Sequence, residues 1–154
     1  MAKITSGENK RAHLQMIQGV INRMASNQFL FKGWSITLIA GIATFSAKDN
    51  NPALMAIPVA ATLLFWAVDA YYLMLERAFR DLYDSVSKKD ESKIDFKMDI
   101  KNRGIRAGDW VKTIRSRILA GFYGSVFVAL LVLVAILNNF WVEVILHHGT
   151  QSIR

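Results

Sequence analysis

Two charges stand where charges are most costly. Lys32 lies about one turn inside an apolar stretch, residues 29–47, and Asp69 about two turns before the end of a second, residues 52–75. Folded as an antiparallel hairpin, the two stretches would bring both charges near the same membrane face. There an ammonium and a carboxylate can neutralise each other in a medium that hydrates neither well. An embedded carboxylate has three roles open to it: lining a pore, responding to protons, or serving as a buried partner for Lys32 or for the hydroxyl of Tyr71 or a neighbouring helix. A structural or assembly role is preferred to ion conduction. Proton and ion pathways need several polar positions along the bilayer, and beyond the two charges and the aromatic side chains these arms offer only the hydroxyls of Ser35, Thr37, Thr44, Ser46 and Thr62. A lysine so close to the interface can also run its stem along the helix and reach the headgroups.

A second group is basic. Lys112, Arg115 and Arg117 precede a third apolar stretch, with Arg103 and Arg106 shortly before them. Such a cluster sets topology and contacts anionic lipid, at about 1 kcal/mol per charge near the surface. The same residues would also suit a phosphorylated ligand; the lipid reading is preferred, because Trp110 is the one aromatic interleaved among them. His147 and His148 are adjacent, so on a helix they diverge by roughly 100°, and no carboxylate or thiolate cluster accompanies them. No metal site and no cofactor is expected. With no cysteine in the chain, disulfides, zinc–thiolate sites and cysteine nucleophiles are excluded. No nucleotide-cradling glycine loop, HExxH or Ser-His-Asp arrangement emerges, and the chain does not read as an enzyme.

The elements that must position these residues follow from blocks of hydropathy. The chain has 154 residues, 53% of them apolar, with a mean hydropathy of +0.24. The excess is concentrated. Residues 118–137 carry no charge over their whole length, which matches the ~20 residues needed to cross ~30 Å of hydrocarbon. The expected fold is an all-α integral membrane protein, a single membrane domain over residues 1–154, with three transmembrane helices at 29–47, 52–75 and 118–137. An amphipathic helix at 10–28 precedes them, 76–117 forms a cytoplasmic segment with a helical extension, and 138–154 is an external tail.

Net charge is +7, but its distribution says more than its sum. Five Lys and Arg residues precede Gly33 and twelve lie from Arg77 to Arg117, leaving only Lys48 and Arg154 elsewhere among the 19. By the positive-inside rule the N-terminus and the middle segment are cytoplasmic, and the Lys48 turn and the C-terminus are outside. Nothing here points to nucleic acid as a partner. No cleavable signal peptide is read in residues 1–28, so the first crossing would act as its own insertion signal.

Local patterns refine the outline. Leu14, Ile17, Val20, Ile21 and Met24 recur at helical spacing, and Leu75, Phe79, Leu82 and Val86 follow a 4-3-4 spacing. These stripes are expected to pack together as a stalk, continuous with the crossings, although the first could instead lie on the membrane surface. Arg77 with Asp81 and Arg80 with Asp84 are expected to pair across one turn. Pro58 is expected to kink the second crossing by freeing the carbonyl of Leu54. Residues 94–101 alternate apolar and charged side chains, the period of a half-buried strand. A lone strand needs a partner from another chain, or it docks as an extended segment on the stalk. Asp109 is expected to N-cap a helix from Trp110 onward. Small residues mark helix-packing faces at Thr37 and Gly41, and at Ala120, Gly121, Gly124 and Ser125. From these faces a homo-oligomer is expected, with membrane lipids as the other partner.

The runs Asn22-Arg23-Met24-Ala25-Ser26-Asn27, Lys32-Gly33-Trp34, Phe65-Trp66, Asp69-Ala70-Tyr71-Tyr72, Glu76-Arg77, Arg80 and Leu82-Tyr83-Asp84 look like a group of small bacterial membrane proteins of unknown activity, over residues 14–84. In outline the chain also resembles the SLATT-type membrane effectors of bacterial conflict (antiphage) systems, from which it departs by its third crossing and the 94–101 segment. That resemblance implies an inner-membrane protein that oligomerises and permeabilises the membrane when a cytoplasmic sensor protein or nucleotide signal calls on it. A non-conducting anchor or scaffold for a soluble partner is the alternative.

Overall fold

The computed structural model describes residues 7–48, 52–103 and 105–151, and the side chains of these apart from 52, 53 and 137–151. The order of elements is α1 (Glu8–Lys48), a 3-10 turn (Pro52–Met55), α2 (Ala56–Ser87), a 3-10 turn (Glu91–Lys93), α3 (Ala107–Ile114) and α4 (Arg117–Gln151). Three helices are long and apolar enough to cross a membrane: Glu8–Lys48, Ala56–Ser87 and the Arg117–Ile136 part of α4. Within their most apolar windows only 22%, 28% and 17% of residues are buried by the chain itself. Apolar surface on that scale requires lipid or further protein to cover it.

The chain forms two compact units. The first comprises Met1–Lys32 and Ala67–Ser116, the second Gly33–Trp66 and Arg117–Arg154. In the first unit Ile17, Ile21, Leu82 and Val86 make a buried cluster, flanked by Leu14, Phe79, Tyr83, Ile94, Met98 and Ile100. The two amphipathic stripes therefore meet each other. In the second unit Ile39, Ala43 and Leu130 are the buried centre, with Val59, Ala61, Phe65, Val126 and Leu133 around them. Trp66 stacks on Tyr123 there, with ring centroids 5.9 Å apart.

Four expectations are corrected. No strand forms among the described residues. Residues 94–101 run as an irregular strap, because Asp95 and Asp99 each accept the backbone N–H two residues on, from Lys97 at 3.3 Å and Lys101 at 2.9 Å. Such local bonds compete with a ladder. Phe96 between them takes a left-handed φ of 53°. The strap uses the alternation differently: Ile94, Met98 and Ile100 face the stalk core, while Phe96 remains 41% exposed.

Asp109 is the third residue of α3 rather than its cap. The helix starts at Ala107 with Arg106 as N-cap, and the Arg106 backbone N–H donates to Asp109 Oδ2 at 3.3 Å. Pro58 falls in the first turn of α2, where a missing N–H costs nothing. The break lies between the 3-10 turn and α2, and the Leu54 carbonyl accepts the Ser46 hydroxyl at 3.1 Å. Arg80 pairs with Glu76, at 2.7 Å, instead of Asp84, because a buried carboxylate gains more from compensation than an exposed one. Neither Arg77 with Asp81 nor Arg80 with Asp84 forms an ion pair. Asn138 and Asn139, where the expected external tail begins, do not break the helix. The backbone of α4 stays helical to Gln151, as asparagine costs a helix only about 0.7 kcal/mol relative to alanine. The side chains expected in the external tail, His147 and His148 among them, lie outside those described, as do Asp49, Asn50, Asn51 and Gly104 in the expected turns.

Candidate functional site

A polar seam runs between α1 and α2 in the first unit. Both helices bury one face there, and the seam residues sit on it at helical spacing: Gln28 and Lys32 on α1, Asp69 and Glu76 on α2. Lys32 Nζ lies 2.6 Å from Asp69 Oδ2, with the lysine side chain 21% exposed and Asp69 fully buried. The contact is ionic rather than a directed hydrogen bond. Among the described residues neither oxygen of Asp69 accepts one, and the Tyr71 hydroxyl is not its partner. Tyr72 instead packs on Phe31, at 5.1 Å between centroids. Lys32 is thus the compensation for a carboxylate wholly out of solvent.

Two turns along α2 and one along α1, Gln28 Nε2 donates to Glu76 Oε2, and both residues are buried. Glu76 also accepts Arg80 Nε at 2.8 Å. This second buried acid lies just past the residue at which the second crossing was expected to end, which is why it escaped the sequence reading. Trp110 Nε1 donates to the Ala67 carbonyl at 3.2 Å, fastening α3 to α2 about half a turn from Asp69.

The strap is held at three points, none foreseen. Glu91 reaches back to the start of α1, its Oε1 accepting the N–H of Asn9 at 2.8 Å and its Oε2 that of Lys10 at 3.2 Å. A carboxylate there satisfies orphan donors and meets the positive end of the helix dipole. His13, fully buried, donates from Nε2 to the Lys97 carbonyl at 3.2 Å and packs against Phe96 at 5.4 Å. Arg103 Nη1 donates to the Asp81 carbonyl at 2.9 Å and to Ser85 Oγ at 2.6 Å.

The other residues singled out by the sequence are dispersed. Lys112 lies 3.9 Å from Asp109 Oδ1, Arg106 and Arg115 cap the two ends of α3, and Arg117 begins α4 in the second unit. Thr37 and Ser125 spend their hydroxyls on their own helices, on Gly33 O at 3.2 Å and Phe122 O at 2.7 Å. A Cβ added at Gly41, Gly121 or Gly124 would meet no atom within 4 Å. Close approach at these three glycines is not used among the described residues.

The backbone N–H of Lys97 holds the Asp95 carboxyl below its ordinary pKa, opposed by desolvation and helped by the nearby Lys89 ammonium.

A helical protein with three spans suited to a membrane and a buried ion pair between two of its helices is the class these features define. No known protein family, curated protein or solved structure matches the chain.

Proposed function

We propose that the chain is a bacterial inner-membrane effector, N-terminus cytoplasmic and C-terminus periplasmic, that oligomerises and permeabilises the membrane in response to a cytoplasmic partner or signal. Antiphage defence is the biological setting that its SLATT-like outline suggests. The observation that carries this reading is the polar seam, because Lys32–Asp69 and Gln28–Glu76 lie on the same two helices that supply two of the apolar spans. A signal that re-registers these helices has charged pairs to break and make, which gives a packed interface two discrete arrangements rather than a continuous drift. The unused small-residue faces at Gly41 and at Gly121 and Gly124 support self-association in lipid.

Regulated expression in cells carrying a membrane-potential dye tests the reading. Induction with the cognate trigger should depolarise the cells. Full membrane insertion with an undiminished potential under every trigger tried would sink it and leave the second reading, a non-conducting anchor for a soluble partner. That reading has its own support in Phe96, a large apolar side chain held half-exposed on the strap in a left-handed conformation.

A further inference from the structure

In the first unit, α2, the end of the strap and α3 enclose an open cleft of ≈190 Å³ lined by Met74, Arg77, Asp81, Arg103, Asp109, Lys112 and Thr113. We propose that this cleft binds a phosphoryl group bearing hydroxyl or amine substituents. The proposal goes beyond the effector reading and holds whether or not the helices permeabilise a bilayer.

Three cations converge on the cleft from three separate segments: Arg77 from α2, Arg103 from the end of the strap and Lys112 from α3. Two of them are uncompensated, since neither Arg77 nor Arg103 lies in an ion pair with a carboxylate. Arg103 is also held in place. Its Nη1 is fixed by the Asp81 carbonyl and Ser85 Oγ, leaving the remaining N–H groups of a planar fork, the geometry that suits phosphate oxygens. Lys112 makes only a loose 3.9 Å approach to Asp109 and can turn to an incoming anion as a point charge.

The two carboxylates narrow the choice of ligand. Asp109 is engaged by the N–H of Arg106, whereas the exposed Asp81 carboxylate would repel a bare polyanion and accept from a hydroxyl or ammonium group. A compact phosphate ester satisfies both kinds of lining. The size agrees, since ≈190 Å³ falls below the about 300–1,000 Å³ of pockets for drug-sized ligands and suits a headgroup. The chemistry is shared by glycerophospholipid headgroups and soluble phosphate esters such as glycerol 3-phosphate.

Binding to the full-length protein in neutral detergent is measured by calorimetry with glycerol 3-phosphate and with inorganic phosphate. In parallel, the protein is reconstituted in nanodiscs of phosphatidylcholine with and without phosphatidylglycerol, and lipid retention is read by mass spectrometry. Arg77→Gln and Lys112→Gln should each weaken binding about tenfold or more, the loss of one charge-assisted hydrogen bond. Arg117→Gln, whose residue does not line the cleft, should bind as wild type. Circular dichroism confirms that each variant is folded. Saturable glycerol 3-phosphate binding in detergent identifies a soluble ester as the source, and selective phosphatidylglycerol retention identifies a lipid. Absence of both overturns the proposal, as does binding unchanged in Arg77→Gln and Lys112→Gln, or binding weakened equally by Arg117→Gln.

Discussion

Replacing Lys32 by methionine keeps the volume and apolar stem of the side chain and removes the ammonium 2.6 Å from Asp69. The carboxylate left behind is fully buried, and neither of its oxygens accepts a hydrogen bond from another group. Removing one partner of a buried pair costs about 3–5 kcal/mol, and with no second donor on Asp69 the upper part of that range applies. The reciprocal change is milder. Asp69→Asn leaves a lysine whose side chain is already 21% exposed and whose stem can carry the charge toward water. The cost is then about 1–3 kcal/mol, that of an unsatisfied polar group.

The double variant Lys32→Met/Asp69→Asn has no charge to strand and should be no less stable than Lys32→Met. The cycle then gives a coupling at least as large as the cost of Asp69→Asn, about 1–3 kcal/mol, within the 0.5–3 kcal/mol seen for residues in contact. Denaturant unfolding of the protein in mild detergent, followed by circular dichroism, measures all four corners. Additive effects within about 0.5 kcal/mol, or a larger loss for Asp69→Asn than for Lys32→Met, would refute the pairing. An exchange of charges adds an independent check: Lys32→Asp and Asp69→Lys should each destabilise the fold, and the two together should restore at least part of the loss.

Three further outcomes follow from the stalk and strap. Ile17→Ala removes a fully buried side chain from the α1–α2 cluster and should destabilise by about 2–5 kcal/mol, whereas Met16→Ala next to it, at a 51% exposed position, should stay within about 0.5 kcal/mol. Equal effects in thermal unfolding would mean that the stripe lies on the membrane instead of in the stalk. Glu91→Gln should cost about 1 kcal/mol by weakening the cap on α1 and speed amide exchange at Asn9 and Lys10; unchanged exchange at those amides counts against the contact. Because the folded pKa of Asp95 is lowered, chiefly by the Lys97 N–H, its contribution to stability is present above pH 3.8 and is lost as pH falls through the folded value. The wild-type advantage over Asp95→Asn should therefore be constant near neutrality and vanish in strong acid; an advantage that grows as pH falls would reverse the sign.

The Lys32–Asp69 approach was legible from two charges placed symmetrically about a turn, since a hairpin leaves such residues few other neighbours. The identity of the second polar pair was not. Gln28 and Glu76 are separated by 48 residues and neither is unusual in its local setting. The alternation at 94–101 misled because period two describes side-chain direction only. The aspartates at 95 and 99, each able to bond the N–H two residues on, were the signal against a straight strand. Asp109 misled by one turn, since a carboxylate serves a helix start from the third position as well as from the cap itself.

The sequence by itself determined the three spans and the segregation of basic residues, because crossing length depends only on a run of apolar residues at 1.5 Å rise. Tertiary structure alone decided which buried polar groups meet. Glu91 reaches α1 across 82 residues, His13 reaches the strap across 84, and Asp69 meets Lys32 and not Tyr71. Such choices depend on the rotation and register of whole helices, which are set by the packing of Ile17, Ile21, Leu82 and Val86 and leave no trace in any short window of the chain.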